Sequence, residues 1–357
     1  MSTDRRSAEL TTLLGIDTPI LLGPFGGLSS VELTATVSDL GGLGGYGLYG
    51  YDAARIEQTA AELRAGTERP FAFNLWLPHV EQGEADVTDA EFAAAVDALR
   101  PIFDELGLEL PTRPDRYLPT FEEQYEATLA ASPAAISFVF GVPSPEAVEA
   151  AHARGIAVVG TATTVAEAVA LRDGGVDAIV ATGMEAAGHR VSFLRPAEES
   201  LIGTFALIPQ VVDAVDVPVI AAGGIADRRG VRAALALGAS GVQVGTAFLA
   251  TNQSAATDAH RRAIRETPAD RTVLTRSMSG RLARGAANRA VRTIEAAGAV
   301  APFPVQNWLT GRFRAEASRR GIGDLQSLWL GQAAPLVRSA DAADVFAELA
   351  AGLAASA

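Results

Sequence analysis

Cysteine and lysine are both absent from this chain, and histidine occurs only four times. Without cysteine there is no disulfide framework, no thiolate nucleophile and no cysteine–metal site. Without lysine there is no Schiff-base chemistry, and a GxxxxGK[ST] phosphate loop cannot form. The 29 basic residues are therefore all arginine, and the formal net charge is −13. That balance argues against a nucleic-acid partner, which needs a clustered basic face. No uncharged apolar run reaches membrane-spanning length. Residues 1–12 are polar with no apolar signal-peptide core. The expectation is a cytoplasmic protein with no membrane or nucleic-acid partner. Scattered carboxylates show no metal-ligand spacing, so no metal site is expected. Proton chemistry near neutral pH falls to His79, His152, His189 or His260.

What is present is a regular alternation, supported by a hydrophobic content of 48%. Short apolar runs occur at 19–22, 44–48, 71–75, 135–140, 156–160, 178–181, 217–221 and 241–245. Helix-length segments occur at 30–40, 52–65, 89–106, 144–154, 164–173, 201–214 and 227–237. Ser144 and Pro145 open one of these helices in the favoured cap and first-turn positions, and Gly174-Gly175 closes another. The strands are apolar throughout, as parallel strands covered on both faces must be. Eight such units predict an α/β protein of the (β/α)8 barrel class. The barrel is expected over 1–250, with an inserted segment at about 77–134. Residues 251–357 read as a helical extension packed near the barrel mouth, with helices at 255–265, 314–321 and 340–353 around an irregular stretch at 300–309.

Two features carry chemistry. The run Ala178-Ile179-Val180-Ala181 ends in a small-residue loop, Thr182-Gly183-Met184-Glu185-Ala186-Ala187-Gly188, which delivers His189 and Arg190 at the C-terminal end of the sixth strand. The seventh and eighth strands end in Gly223-Gly224 and in Gln243-Val244-Gly245-Thr246. Loops at those positions of a barrel often bind phosphate, since glycine lets the backbone approach and helix-start N–H groups point at the anion. No strand-linked GxGxxG with its ribose-binding acid occurs. The remaining candidates have structural readings beside the functional ones. His79 belongs to a surface loop or faces the mouth. His152 and His260 read as solvated. Ser279 is a helix cap or a substrate contact, and Arg190 is an anion contact or a surface ion pair. Glu185 is a partner of Arg190 or a cap. Trp76 belongs to the core or covers a ligand.

Taken in order, several motifs resemble the nitronate monooxygenases, formerly called 2-nitropropane dioxygenases. They are Pro19 through Gly27, Gly41-Gly42-Leu43-Gly44, Phe73-Asn74-Leu75, Gly183 through Arg190, Ala222 through Asp227, Gly241 through Thr246, and Ser279-Gly280-Arg281-Leu282-Ala283-Arg284-Gly285. In the last of these, Leu282 stands where the family pattern has proline. The resemblance implies FMN bound non-covalently. It would have Gly23, Pro24 and Phe25 near the flavin ring, Asn74 on the ring or ribityl chain, and Thr182, Ala187 and Gly188 along the cofactor. Gly223, Gly224, Gln243, Val244, Gly245 and Thr246 would hold its phosphate. His189 would be the catalytic base acting on a nitroalkane or its nitronate, with O2 as co-substrate and a carbonyl compound and nitrite as products. Family members often carry methionine, glutamine and glycine where Phe25, Thr182 and Ala187 stand here. Relatives also place tyrosine or lysine from the tail near the substrate, and neither residue occurs from Arg281 onward. Phe303, Gln306, Asn307 and Trp308 are the tail candidates instead. The wider FMN group includes NAD(P)H-dependent enoyl-acyl-carrier and quinone reductases, which form the competing activity. A flavin-free barrel isomerase or lyase acting on a sugar phosphate is a further alternative, and a homo-oligomer is compatible with the sequence.

Overall fold

A computed structural model describes residues 3–78 and 87–353. Eight parallel strands form the central sheet: β1 (Ile20–Leu22), β2 (Gly44–Gly47), β3 (Phe71–Trp76), β4 (Ala135–Val139), β5 (Ala157–Ala162), β6 (Ala178–Thr182), β8 (Val219–Ala222) and β9 (Gly241–Val244). Their order around the sheet is β1-β9-β8-β6-β5-β4-β3-β2. A parallel bridge between Leu21 and Leu43 joins its two edges, so the sheet closes into the expected (β/α)8 barrel. All eight apolar runs picked out in the sequence become these strands.

Both faces of each strand are buried, with a period of two. In β6, Ala178 and Val180 point into the barrel, while Ile179 and Ala181 meet the outer helices. The barrel interior mixes alanines such as Ala72, Ala135 and Ala157 with the larger Leu21, Leu43, Val159 and Ile220. Its lower end is stoppered by Leu10 and Leu14 of the helix Thr3–Leu14. The polar residues at the N-terminus thus belong to an amphipathic plug.

The insertion divides between two layers. Helix Phe121–Ala131, capped by Thr120, packs through Tyr125 and Leu129 into the barrel's outer layer. Helix Asp89–Leu106 instead joins a second core with Met278, Ile294, Leu309, Phe313 and Leu325 of the tail. The tail also contributes to both layers. Its helix Val305–Arg319 starts within the stretch read as irregular, because Val305, Leu309, Phe313 and Ala317 form a buried i, i+4 stripe. Helix Ala342–Ala350 returns to the barrel through Val345, Phe346 and Leu349, taking the place of the eighth outer helix. Between these helices, β10 (Thr272–Thr275) and β11 (Ala283–Ala286) form a small antiparallel sheet with β7 (Gly188–His189). None of the described helices is long and apolar enough to cross a membrane.

Candidate active site

A cavity of about 410 Å³ opens at the C-terminal ends of the barrel strands. That is within the ~300–1,000 Å³ usual for ligand clefts. Gly23, Pro24 and Phe25 line it from the loop after β1, Asn74 from β3 and Thr182 from the end of β6. Ala187, Gly188 and His189 follow, with Gly223 and Gly224 after β8 and Gln243, Gly245 and Thr246 at β9. Val244 stands apart from this group. Its side chain is buried in the layer between barrel and helices, and only its carbonyl serves the rim, accepting from the Gly23 N–H at 2.9 Å.

The glycine turns are shaped for close approach. Gly223 and Gly224 adopt φ of +94° and +73°, a region that side chains disfavour. Beside them, a Cβ on Gly183 would lie 2.0 Å from Thr204 Oγ1, so only glycine lets these two loops meet. Thr246 opens a short helix, which leaves its N–H outside the helical ladder. Its hydroxyl accepts from the Gly331 N–H at 3.1 Å and keeps its own proton to donate. The segment around Gly331 also binds the loop after β6, the Gln332 N–H donating to the Glu185 carbonyl at 2.9 Å. Asn74 Nδ2 donates to Ser137 Oγ at 2.9 Å, which leaves the amide oxygen of Asn74 as an acceptor on the cavity wall.

His189 owes its position to the tail. In β7 it pairs with Ala283 of β11, and the following N–H, from Arg190, donates to the Leu282 carbonyl at 2.8 Å. This register sets Ser279 against the imidazole, with Nε2 and Ser279 Oγ 2.8 Å apart. Ser279 Oγ also lies 3.1 Å from the Arg281 carbonyl. When Ser279 donates to that carbonyl, Nε2 carries the imidazole proton and Nδ1 is a base. When Ser279 donates to Nε2, Nδ1 carries the proton and is a donor. Burial pushes the His189 pKa down to about 3, and the nearby charges of Arg281 and Arg314 push the same way. His189 is therefore a neutral imidazole across the physiological range.

An aromatic wall surrounds it. The Trp76 ring stands edge-on 5.0 Å from the imidazole, and Tyr49, Phe140 and Phe303 pack around Trp76. Phe140 holds a φ of +68°, a conformation costing about 1–3 kcal/mol for a bulky residue. Its ring and that of Phe303 lie 4.3 and 4.1 Å from the Arg281 guanidinium.

Several expectations for single residues change. Arg190 is neither an anion contact nor a surface ion pair. It is buried, donating to the Gly183 and Thr182 carbonyls at 2.7 and 3.0 Å and bracing the loop that carries His189. Glu185 is a cap for another element, accepting from the Thr204 N–H at 3.0 Å where helix Thr204–Ala214 begins. Ser279 bonds to the imidazole rather than capping a helix. His260 is buried instead of solvated, with Nε2 2.7 Å from the Trp329 carbonyl, and burial lowers its pKa to about 4. His152 is exposed and pairs with Asp177 at 2.9 Å. His79 lies outside the described residues. From the tail, Asn307 reaches the cavity, whereas Gln306 is buried and donates to the Ser277 carbonyl. Trp308 packs on Tyr117 and Arg312.

Tyr49, Arg314 and Trp329 also line the cavity, and sequence reasoning passed over them. Tyr49 follows β2 in a glycine-rich run, at the strand end where barrel sites form. Arg314 and Trp329 have no local signal, because only the folding-back of the tail brings them there.

Comparison with known proteins agrees with this fold. The family model for nitronate monooxygenase matches residues 7–352. A nitronate monooxygenase of Pseudomonas aeruginosa is 41% identical, over 96% of this chain and 97% of its own length. The structure of a nitroalkane oxidase from Streptomyces ansochromogenes superposes with a TM-score of 0.86 at 35% identity, covering 97% of both chains. FabK from Thermotoga maritima superposes with a TM-score of 0.74 at 26% identity, covering 96% of this chain and 94% of that one. The barrel, the tail folded over its mouth and a match spanning nearly the whole chain lead to one assignment: this protein is an oxidoreductase of the nitronate monooxygenase family.

Proposed function

We propose that the cavity binds FMN and that the protein oxidises nitronates with O2 to carbonyl compounds and nitrite. The observation that carries this reading is a neutral imidazole, anchored on one side by Ser279, in the wall of the same cavity as two glycine turns suited to a phosphate. The residues fit the cofactor. Gly223, Gly224, Gly245 and Thr246 would hold its phosphate, while Gly23 through Phe25 and Asn74 would border its ring and ribityl chain. Bound FMN supplies the electron acceptor for the nitronate and the route of electrons to O2. The protein's part is to position and to exclude water. The aromatic wall shields the reacting carbon, and His189 meets the substrate through Nδ1 as a donor to the anion or as a base toward a neutral nitroalkane.

The charge around the site favours the anion. Arg281 and Arg314 lie close enough to depress the His189 pKa, and a base so weakened removes an α-proton slowly. Ethyl nitronate is therefore expected to exceed nitroethane in kcat/KM by more than about tenfold. Equal values for the two would refute the preference.

The decisive experiment is an anaerobic titration of the purified yellow protein. Ethyl nitronate should bleach the flavin band, and NADH alone should leave it unchanged. Readmitted air should restore the band with release of nitrite. Rapid bleaching by NADH would favour the reductase activity instead. The phosphate contact has its own test. Thr246→Val is expected to weaken FMN binding about tenfold, the value of one hydrogen bond to a charged group, and Thr246→Ser to retain it. Equilibrium titration of the apoprotein with FMN measures both.

A further inference from the structure

Asn307 and Arg314 of helix Val305–Arg319 and Tyr49 from the loop after β2 share the cavity wall with His189. Among the described residues Arg314 donates only to neutral oxygens: Nη1 to Ser327 Oγ at 2.7 Å, and Nη2 to the Asn307 carbonyl at 3.0 Å and Asn307 Oδ1 at 2.8 Å. Its Nε is buried with no partner among the described residues. A guanidinium served in this way retains a charge that no carboxylate among the described residues balances, which is costly unless an anion arrives. The cavity is where one can.

The same bonds settle how Asn307 points. Because Oδ1 accepts from Arg314, the amide nitrogen faces away and donates to Tyr49 Oη at 2.8 Å. The phenol oxygen is thus an acceptor toward the protein, and its own proton has no acceptor among the described residues. Burial pushes the Tyr49 pKa up to about 12, so that proton stays in place. The ring is fixed by Trp76, with centroids 4.5 Å apart.

Resting on the nitronate reading of the cavity, we propose that Tyr49 is a specificity residue. Its hydroxyl, oriented by Asn307 and backed by the charge of Arg314, donates to an oxygen of a planar oxyanion such as the NO2 group of a nitronate. A packing role alone would need the ring and not the hydroxyl.

The test uses the FMN-loaded protein, in which the phosphate turns are filled. Sodium nitrate, a planar oxyanion that cannot be turned over as a nitronate, is titrated while tryptophan fluorescence is followed, since Trp76 and Trp329 line the cavity. KM and kcat for ethyl nitronate are measured in parallel. Tyr49→Phe is expected to weaken nitrate binding and raise KM by about tenfold each, with kcat and thermal midpoint little changed. Asn307→Leu, which removes the orienting amide but leaves Tyr49 intact, should shift both constants in the same direction. Nitrate binding within twofold of wild type in these variants, or no nitrate binding by wild type, overturns the proposal. If wild type forms nitrite and the variants match it in KM, the proposal falls and the nitronate reading stands. If wild type forms no nitrite yet binds nitrate through Tyr49, the oxyanion site stands and the nitronate reading falls.

Discussion

His189→Ala is expected to lower nitrite formation from nitroethane by about 10²–10⁴-fold, the usual worth of a positioned general base. With preformed ethyl nitronate the loss should be smaller, about 10–100-fold, because there is no proton to remove and only one hydrogen bond to a charged group disappears. The gap between the two substrates isolates the proton step. A steady-state nitrite assay with each substrate measures it, and the flavin spectrum of the variant confirms that the cavity still binds FMN. Equal losses on the two substrates would mean that His189 serves the anion alone. No loss on either would remove it from the chemistry. The pH profile supplies a second check. With its pKa held at about 3 by burial and two arginines, His189 does not change charge between pH 5 and 8. kcat should therefore show no inflection near 6.5, where an ordinary imidazole titrates.

The second large effect is on stability in acid. His260 is buried and neutral, with a pKa of about 4 in the fold and about 6.5 once unfolded. Below pH 6.5 the unfolded chain takes up a proton that the folded chain refuses, so stability falls as pH drops. This loss continues down to about pH 4 and amounts to about 3 kcal/mol in full. His189 acts in the same direction over a window reaching to about pH 3. His260→Gln, whose amide can still donate to the Trp329 carbonyl, should lose about 2 kcal/mol less than wild type between pH 7 and 4.5. Urea unfolding at the two pH values measures the difference. Identical losses in the two proteins would show that His260 is protonated, or solvated, in the folded state.

The barrel was legible because its signals are local. Each apolar run is bounded by caps and glycines, and a strand buried on both faces needs nothing but its own residues to be recognised. The helix Phe121–Ala131 also had a signal, Thr120 three residues before Glu123, which the strand count left unused. The helix at 305–319 was obscured because Gln306, Asn307 and Arg314 flank its narrow apolar stripe with polar side chains. Those polar residues are there for the cavity and for the carbonyls behind it. The readings of Arg190 as an anion contact or a surface ion pair, and of His260 as a solvated group, failed for one reason. Their partners are backbone carbonyls at Thr182, Gly183 and Trp329, and a carbonyl's availability leaves no trace in residue identity.

By itself the sequence determined the barrel, the strand ends at which ligands gather, and the placement of His189 near one of those ends. Those follow from periodicity and turn chemistry within a few residues of each position. The tertiary structure alone decided how that histidine is held. The antiparallel pairing of β7 with β11 brings Ser279 to the imidazole across 90 residues. The return of the tail brings Arg314 and Asn307 to Tyr49 across more than 250. Protonation state, tautomer and charge balance depend on distances between such remote groups, and these distances exist only once the chain has closed on itself.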